Sequence, residues 1–187
     1  MSLIPAFEIG LWNAWIPVFY PQLIFVFGLL ANRKILQRGF PEYNKTEKRL
    51  YRVITAIYYP AIVYTIFLPL KLGTLWFYAG LPIILLGEVI FTIAAVSFGT
   101  TPIDEPVIKG IYRYSRHPLY LAQYLIFIGV GIACASWVFL LFSILFTSMQ
   151  HALTIPEERT CVDRYGDVYR EYMNKTAKYI GRQRNGL

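Results

Sequence analysis

The chain has 187 residues, of which 56% are hydrophobic and only 16% are charged, a composition typical of membrane proteins and unusual for a soluble domain. Its formal net charge of +7 is compatible with nucleic-acid binding. The basic residues, however, lie between apolar segments, as the positive-inside rule describes, so we expect no nucleic-acid partner. The length fits one compact bundle. We therefore expect a single membrane domain over residues 1–187, with no cleaved signal peptide because no basic stretch precedes the first apolar segment.

Apolar segments along the chain predict an all-α membrane bundle of about five transmembrane helices. A helix needs about 20 residues to cross a hydrocarbon core of roughly 30 Å. The segment after residue 118 is too long for one span, and the small residues at 133–136 favour a tight break in it. The predicted spans are residues 11–30, residues 51–70, residues 75–98 and a helical hairpin over residues 118–153.

The distribution of basic residues predicts how these helices cross the membrane. The densest basic cluster follows the first span, at residues 31–50, whereas the turn at Lys71 carries a single basic residue. By the positive-inside rule we expect a multi-pass protein with its N-terminus outside and its C-terminus in the cytoplasm. Residues 1–98 then form three N-terminal spans. Residues 99–187 hold the hairpin and, around residues 165–172, an amphipathic helix marked by aromatic residues at helical spacing.

The most informative stretch is residues 107–122, where a polar loop runs into an apolar segment. Pro118 is well suited to the first position of a helix, because its missing N–H costs nothing there. Arg116 and His117 would then lie at the positive N-terminal end of that helix, which favours a bound anion. This pattern indicates a site for a charged small molecule at the membrane surface. The alternative is that these side chains are interfacial anchors.

A pair of adjacent acids follows the hairpin. Because Glu157 and Glu158 flank its cytoplasmic end, as Arg116 and His117 do, the hairpin would bring the two pairs close together. The acids could bind hydroxyl or amino groups of a ligand, or pair with neighbouring arginines at the surface.

Three further residues of interest lie in or near the apolar segments. Glu88 is an ionisable group inside the third span, so it either forms a wall of the site or makes a structural hydrogen bond. Cys134 and Cys161 fall in different environments and show no metal-binding spacing. We expect neither a disulfide nor a metal site.

The stretch G-I-Y-R-Y-S-R-H-P-L-Y at residues 110–120 resembles the signature of the isoprenylcysteine carboxyl methyltransferases and their phospholipid N-methyltransferase relatives. The second half of that signature is matched by Glu157 and Glu158 followed by Y-G-D-V-Y-R-E-Y at residues 165–172. Order and spacing agree across residues 109–180. The chain departs from the carboxyl methyltransferases at residues 175–181, which lack their two prolines in a region that lies near the family's acceptor entrance.

The resemblance implies an integral-membrane methyltransferase, in the short five-span form, that uses S-adenosylmethionine, releases S-adenosylhomocysteine and needs no metal. Its acceptor would be lipophilic and would enter from the bilayer, among membrane lipids; the oligomeric state stays open. Carried over residue by residue, the resemblance implies a cofactor site made of Lys109, Gly110, Tyr112, Arg116, His117, Pro118, Leu119, Tyr120, Glu157 and Glu158.

Arg164 and Glu158 are the first candidates for catalysis, and their roles depend on the acceptor. A carboxylate acceptor is already anionic at pH 7 and needs no base, and Arg164 could hold it through two hydrogen bonds. An amine acceptor must lose a proton, which Glu158 or His117 could accept. We expect the carboxylate of a prenylcysteine-like or isoprenoid molecule. The alternatives are a phospholipid amine N-methyltransferase, an NADPH-dependent reductase of the sterol-reductase type, and a membrane scaffold without activity.

Overall fold

A computed structural model describes residues 7–33 and 41–181, and in these ranges the protein is helical without any β-strand. The predicted all-α class is confirmed. The part of the predicted basic loop at residues 34–40 lies outside the described residues, as do residues 1–6 and 182–187. The helices are α1 (Trp15–Ala31), α2 (Lys45–Tyr64), α3 (Leu75–Thr100), α4 (Pro118–Ala133), α5 (Trp137–His151), α6 (Thr154–Tyr165) and α7 (Asp167–Lys175), with 3-10 turns at Thr65–Phe67 and Gly110–Arg113.

Within the described ranges, three helical segments are long and apolar enough to cross a membrane: Lys45–Phe67, Leu75–Thr100 and Trp137–Tyr165. Two shorter apolar helices accompany them, Trp15–Leu30 and Pro118–Ala133. The outer faces of these helices expose large apolar side chains, as lipid-facing surfaces require. The charged helix α6 continues from α5 beyond the apolar part of the third segment.

Two predicted boundaries differ from the structure because of local backbone chemistry. Helix α2 begins at Lys45, within the predicted polar loop, because Asn44 caps it: its Oδ1 accepts from the Glu47 amide at 2.9 Å and the Glu47 Oε2 accepts from the Asn44 amide at 2.8 Å. The predicted amphipathic helix is divided at Gly166, whose φ of 59° is a left-handed conformation that glycine adopts at little cost.

The predicted hairpin is present, and its turn lies at the predicted small residues. Ala135 has a φ of 51°, and the Ser136 amide donates to the Gly131 carbonyl at 3.0 Å. The Ser136 hydroxyl then caps α5 by accepting from the Phe139 amide at 3.2 Å. The arms pack through an aromatic cluster of Phe127, Phe139, Phe142 and Phe146.

Helices α3 and α4 approach each other at backbone distance. A Cβ built on Gly87 would lie 2.7 Å from Ile126 Cγ1 and 2.9 Å from the Ala122 oxygen, and one on Gly129 would lie 2.9 Å from the Ile84 nitrogen. Small residues at such crossings are the usual means by which membrane helices pack closely. This contact fixes the position of α4, and with it the polar residues at its N-terminus.

Candidate functional site

The N-terminus of α4 carries the residues that the sequence singled out. Pro118 is the first residue of the helix, as predicted, and His117 precedes it with φ −127° and ψ 58°, outside the α region. The C-terminal segment runs alongside: the Arg116 amide donates to the Ala177 carbonyl at 3.0 Å and the His117 amide donates to the Lys178 carbonyl at 3.1 Å. The turn at Arg116 and His117, the corner before α4, is therefore fixed by backbone hydrogen bonds to the C-terminal segment.

Both acidic residues meet this corner, as the hairpin geometry predicted. One Glu158 oxygen lies 3.0 Å from Arg116 Nε and 3.0 Å from His117 Nε2, and the other lies 3.4 Å from Lys178 Nζ. Glu157 lies 3.6 Å from His117 Nδ1. Residues far apart in sequence thus form one charged cluster at the end of the hairpin.

Burial makes this cluster energetically important. His117 is 7% exposed and Glu158 is 8% exposed. The guanidinium of Arg116 is shared between two partners, since its Nη1 donates to the Met173 carbonyl at 2.8 Å while its Nε lies beside Glu158. A buried carboxylate with three cationic neighbours is compensated, whereas the same cations without it would be left unpaired at high cost.

The acids set the charge state of His117. Burial by itself would lower the pKa of the imidazole, but hydrogen bonds and charges from Glu157 and Glu158 outweigh it, and the pKa of His117 is raised above its usual value. His117 is therefore biased towards the imidazolium form, which makes it a better hydrogen-bond donor than base.

Aromatic rings line the membrane side of the cluster. The Tyr120 hydroxyl donates to Glu157, and the Tyr120 ring stacks on Tyr124 with centroids 6.4 Å apart. Tyr179, from the C-terminal segment, bonds both arms of the hairpin: its hydroxyl lies 3.3 Å from the Tyr124 hydroxyl and 2.8 Å from His151 Nδ1. The cluster is thus bounded by tyrosines towards the bundle.

Several of these neighbours were not predicted as site residues. Lys178 and Tyr179 lie in the segment that differs from the family by its missing prolines. Their contacts, from the Lys178 carbonyl to Ser115 just before α4 and from the Tyr179 hydroxyl to Tyr124 in α4, cross more than 50 positions of sequence. Tyr43, just before α2, is another: burial first, and the charge of Glu157 second, raise the pKa of Tyr43 to about 12. Tyrosine and lysine are common at membrane surfaces, so the sequence does not distinguish these three residues from others. Only the fold shows that they lie beside the cluster.

The remaining predicted cofactor residues lie in the loop before the cluster and in the first turn of α4. Lys109 is exposed and pairs with Glu105 at 3.4 Å. Gly110 has a φ of 62°, and a Cβ there would lie 2.8 Å from the Ser97 hydroxyl. Tyr112 is buried and its carbonyl accepts from the Tyr172 hydroxyl at 2.6 Å. Leu119, in the first turn of α4, is half-buried.

Arg164 and Glu88 lie on other parts of α6 and α3. Arg164 is exposed, six residues beyond Glu158 on α6, which corresponds to about 9 Å along the helix axis and a different face. Glu88 is half-buried in the middle of α3, where its backbone oxygen accepts from the Thr92 hydroxyl at 2.8 Å.

The alternative in which the two acids pair with neighbouring arginines is wrong for Arg159. Its guanidinium binds both carboxylate oxygens of Glu47, at 3.0 and 2.8 Å, and also the Glu42 carbonyl at 2.8 Å. These bonds fasten the residues before α2 to α6. Tyr43 is thereby held beside Glu157.

The groups gathered here fit S-adenosylmethionine, which carries a carboxylate, an ammonium group, hydroxyls and a sulfonium cation. Arg116 and Lys178 suit the carboxylate, Glu157 and Glu158 suit the ammonium or hydroxyl groups, and the tyrosine faces suit a cation. Arg116 Nε is also a buried donor that has no hydrogen bond within the described residues, although it forms the ion pair with Glu158. No group of metal-binding side chains occurs among the residues that the structure describes.

Comparisons with known proteins address the family directly. The family model described as phospholipid methyltransferase matches residues 83–168, from the middle of α3 to the start of α7. The matched range contains Arg116, His117, Glu157 and Glu158. No curated protein matches the chain significantly. Over residues 83–168 the chain is thus similar to the phospholipid methyltransferases, which belong with the isoprenylcysteine carboxyl methyltransferases to one group of membrane methyltransferases.

Proposed function

We propose that the protein transfers the methyl group of S-adenosylmethionine to a lipophilic acceptor at the cytoplasmic face of a membrane. The family identifies a membrane methyltransferase with lipid-like substrates. The observation that carries the proposal is the buried meeting of Arg116 and His117 with Glu157 and Glu158, 3.0 Å apart at the closest pairs.

The donor would be held by the charged cluster and by the loop before it. When bound, S-adenosylmethionine supplies a methyl group on a sulfonium sulfur. The chain's own contribution is to orient that group and keep water away, because an in-line displacement depends mainly on positioning. Groups of the cofactor would replace some of the bonds that Arg116, Lys178 and Glu158 now make with one another.

For the acceptor, the first candidate is the carboxylate of a prenylcysteine-like or isoprenoid molecule. The support is the sequence signature shared with the isoprenylcysteine carboxyl methyltransferases. A carboxylate is anionic at pH 7 and needs no base, so a cationic residue that orients it is sufficient. Arg164 remains the proposed residue for that role, from the exposed face of α6.

The second candidate is the amine of a phospholipid, and the description of the matching family favours it. An ammonium group must lose a proton before it can attack the methyl group. Glu158 is the proposed acceptor of that proton. His117 suits this role less well, because its raised pKa favours the charged form.

For the arrangement in the membrane we propose five spans, formed by α1 to α5, in one domain. The N-terminus would lie outside, and the charged cluster and the C-terminus would lie in the cytoplasm. The basic residues flanking α1 and α2 and the charged helices α6 and α7 support this orientation.

The test is methyl transfer from labelled S-adenosylmethionine by the purified protein to a panel of prenylcysteines, isoprenoid acids and phosphatidylethanolamine. Transfer to the acids alone supports the first candidate, and transfer to the phospholipid alone supports the second. Binding of NADPH in preference to S-adenosylmethionine would indicate the reductase, and binding of neither would indicate the scaffold. Either of those last results contradicts the proposal.

A further inference from the structure

A series of hydrogen-bonded polar side chains crosses the interior of the bundle. Gln150 of α5 donates through Nε2 to Gln123 Oε1 of α4 at 2.9 Å, and Gln123 Nε2 lies 3.5 Å from the Tyr58 hydroxyl of α2. The Tyr58 hydroxyl lies 2.6 Å from the amide of Gln22 in α1. Four helices are thus joined by side-chain hydrogen bonds in a region that is otherwise apolar.

The direction of these hydrogen bonds is set at the Gln22 end. One end of the Gln22 amide faces only backbone carbonyls, those of Val18 and Phe19, so this end must be the NH₂ group. Its oxygen then accepts from the Tyr58 hydroxyl at 2.6 Å. Tyr58 in turn accepts from Gln123, and Gln123 accepts from Gln150. Every donor in this series of hydrogen bonds therefore points from α5 towards α1.

With the hydrogen bonds in this direction, one acceptor oxygen at the α5 end of the series is left without a donor. Gln150 is 9% exposed, and its Oε1 has no hydrogen-bond partner within the described residues. Buried carbonyl oxygens are nearly always bonded, so an unpaired one requires an explanation. Since the unpaired atom is an oxygen, the missing partner must be a donor, either an N–H or an O–H.

The position of this oxygen relates it to the charged cluster. Gln123 and Gln150 are the immediate sequence neighbours of Tyr124 and His151, and both of those side chains bond to Tyr179. On α4, Gln123 follows Tyr120 by three residues and therefore lies on the same face, one turn further into the bundle than the tyrosine that bonds Glu157. A lipid whose reacting group is in the cluster would have its adjoining polar atoms beside this pair and its tail in the bilayer.

We propose that Gln150, oriented by Gln123, is a subsite that recognises an N–H group on or next to the reacting group of the lipid acceptor. This inference rests on the proposed function and specifies the acceptor further. The amide N–H of a prenylcysteine and the amine N–H of phosphatidylethanolamine share the required chemistry. Fully methylated phosphatidylcholine has no such N–H. Because the oxygen is enclosed in this structure, neighbouring side chains must move to admit the ligand.

A pair of probes tests the subsite without any substitution. N-acetyl-S-farnesylcysteine and S-farnesyl-3-mercaptopropionate share a tail and a carboxylate, but only the first has an N–H. We expect the wild type to prefer the first about tenfold in KM, and in Kd measured by calorimetry in detergent without cofactor, as a buried hydrogen bond implies. A second arm compares Kd for phosphatidylethanolamine and phosphatidylcholine. Preference in one arm identifies the source of the N–H.

Variants assign the preference to a residue. Gln150→Met removes the oxygen at similar side-chain length and should abolish the preference, with the KM for S-adenosylmethionine changed less than twofold. Tyr64→Phe is the matched control, since the Tyr64 hydroxyl is also buried without a partner within the described residues. It should change nothing.

The outcomes separate this inference from the proposed function. If the wild type transfers no methyl group to any acceptor, the proposed function fails, and the Kd comparison still decides the subsite. Equal Kd values within both probe pairs, or a preference that persists in Gln150→Met, would overturn the subsite alone.

Discussion

Replacing Glu158 by glutamine tests whether the charged cluster is organised by a single carboxylate. The substitution keeps the size of the side chain and removes its charge from three cations, at 3.0 Å from Arg116, 3.0 Å from His117 and 3.4 Å from Lys178. Breaking a buried ion pair by removing one partner costs about 3–5 kcal/mol. We expect the lower end, about 3 kcal/mol, because Glu157 remains near His117. In a chain of this length that corresponds to a fall in Tm of roughly 6–12 °C.

The matched control is Glu157→Gln, on the same turn of α6. Its side chain is 27% exposed and its contacts are the Tyr120 hydroxyl and His117, so its loss should cost about 1 kcal/mol, or roughly 2–4 °C. The measurement is thermal unfolding of both purified variants in one detergent at pH 7. Equal falls in Tm for the two variants, or an unchanged Tm for Glu158→Gln, would refute the reasoning.

Three further predictions follow from other parts of the structure. Because the pKa of His117 is raised on folding, its stabilising contribution is complete below the unfolded value of about 6.5 and is lost as the pH rises through the folded value. The wild-type Tm should therefore decrease above about pH 6.5 by more than that of His117→Gln, and parallel pH curves would contradict this. Gly87→Ala should lower stability by about 1–3 kcal/mol through overpacking against α4, whereas Gly28→Ala, which meets nothing within 4 Å, should not; thermal unfolding of both decides. A topology reporter fused after Leu187 should read cytoplasmic, and an external signal would overturn the proposed orientation.

Much of the fold follows from short-range features of the sequence. Apolar segments of membrane length identify the helices, Pro118 marks the start of α4, and the small residues at 133–136 mark the hairpin turn. The approach of Arg116 and His117 to the two acids follows from the hairpin, because its arms return the chain to the same side. These predictions succeed because each depends on one helix or one turn.

The rest depends on contacts between distant segments, which no local pattern encodes. Tyr179 reaches α4 and α5 from the C-terminal segment, and Tyr43 reaches Glu157 from the residues before α2. The amide pair of Gln123 and Gln150 is recognisable only once α4 and α5 are paired. Helix α2 begins earlier than the apolar pattern predicts, because the capping box at Asn44 lies within the charged loop.

The central claim is that the cluster at the end of the hairpin holds the methyl donor. Equilibrium binding of labelled S-adenosylmethionine to the purified wild type, His117→Ala, Glu158→Ala and the surface control Arg170→Ala tests it most directly. The account predicts saturable binding to the wild type and the control, displaced by S-adenosylhomocysteine, and binding at least tenfold weaker in the two cluster variants, as the loss of a charged hydrogen bond implies. Absence of saturable binding to the wild type, or equal affinity in all four proteins, would contradict it.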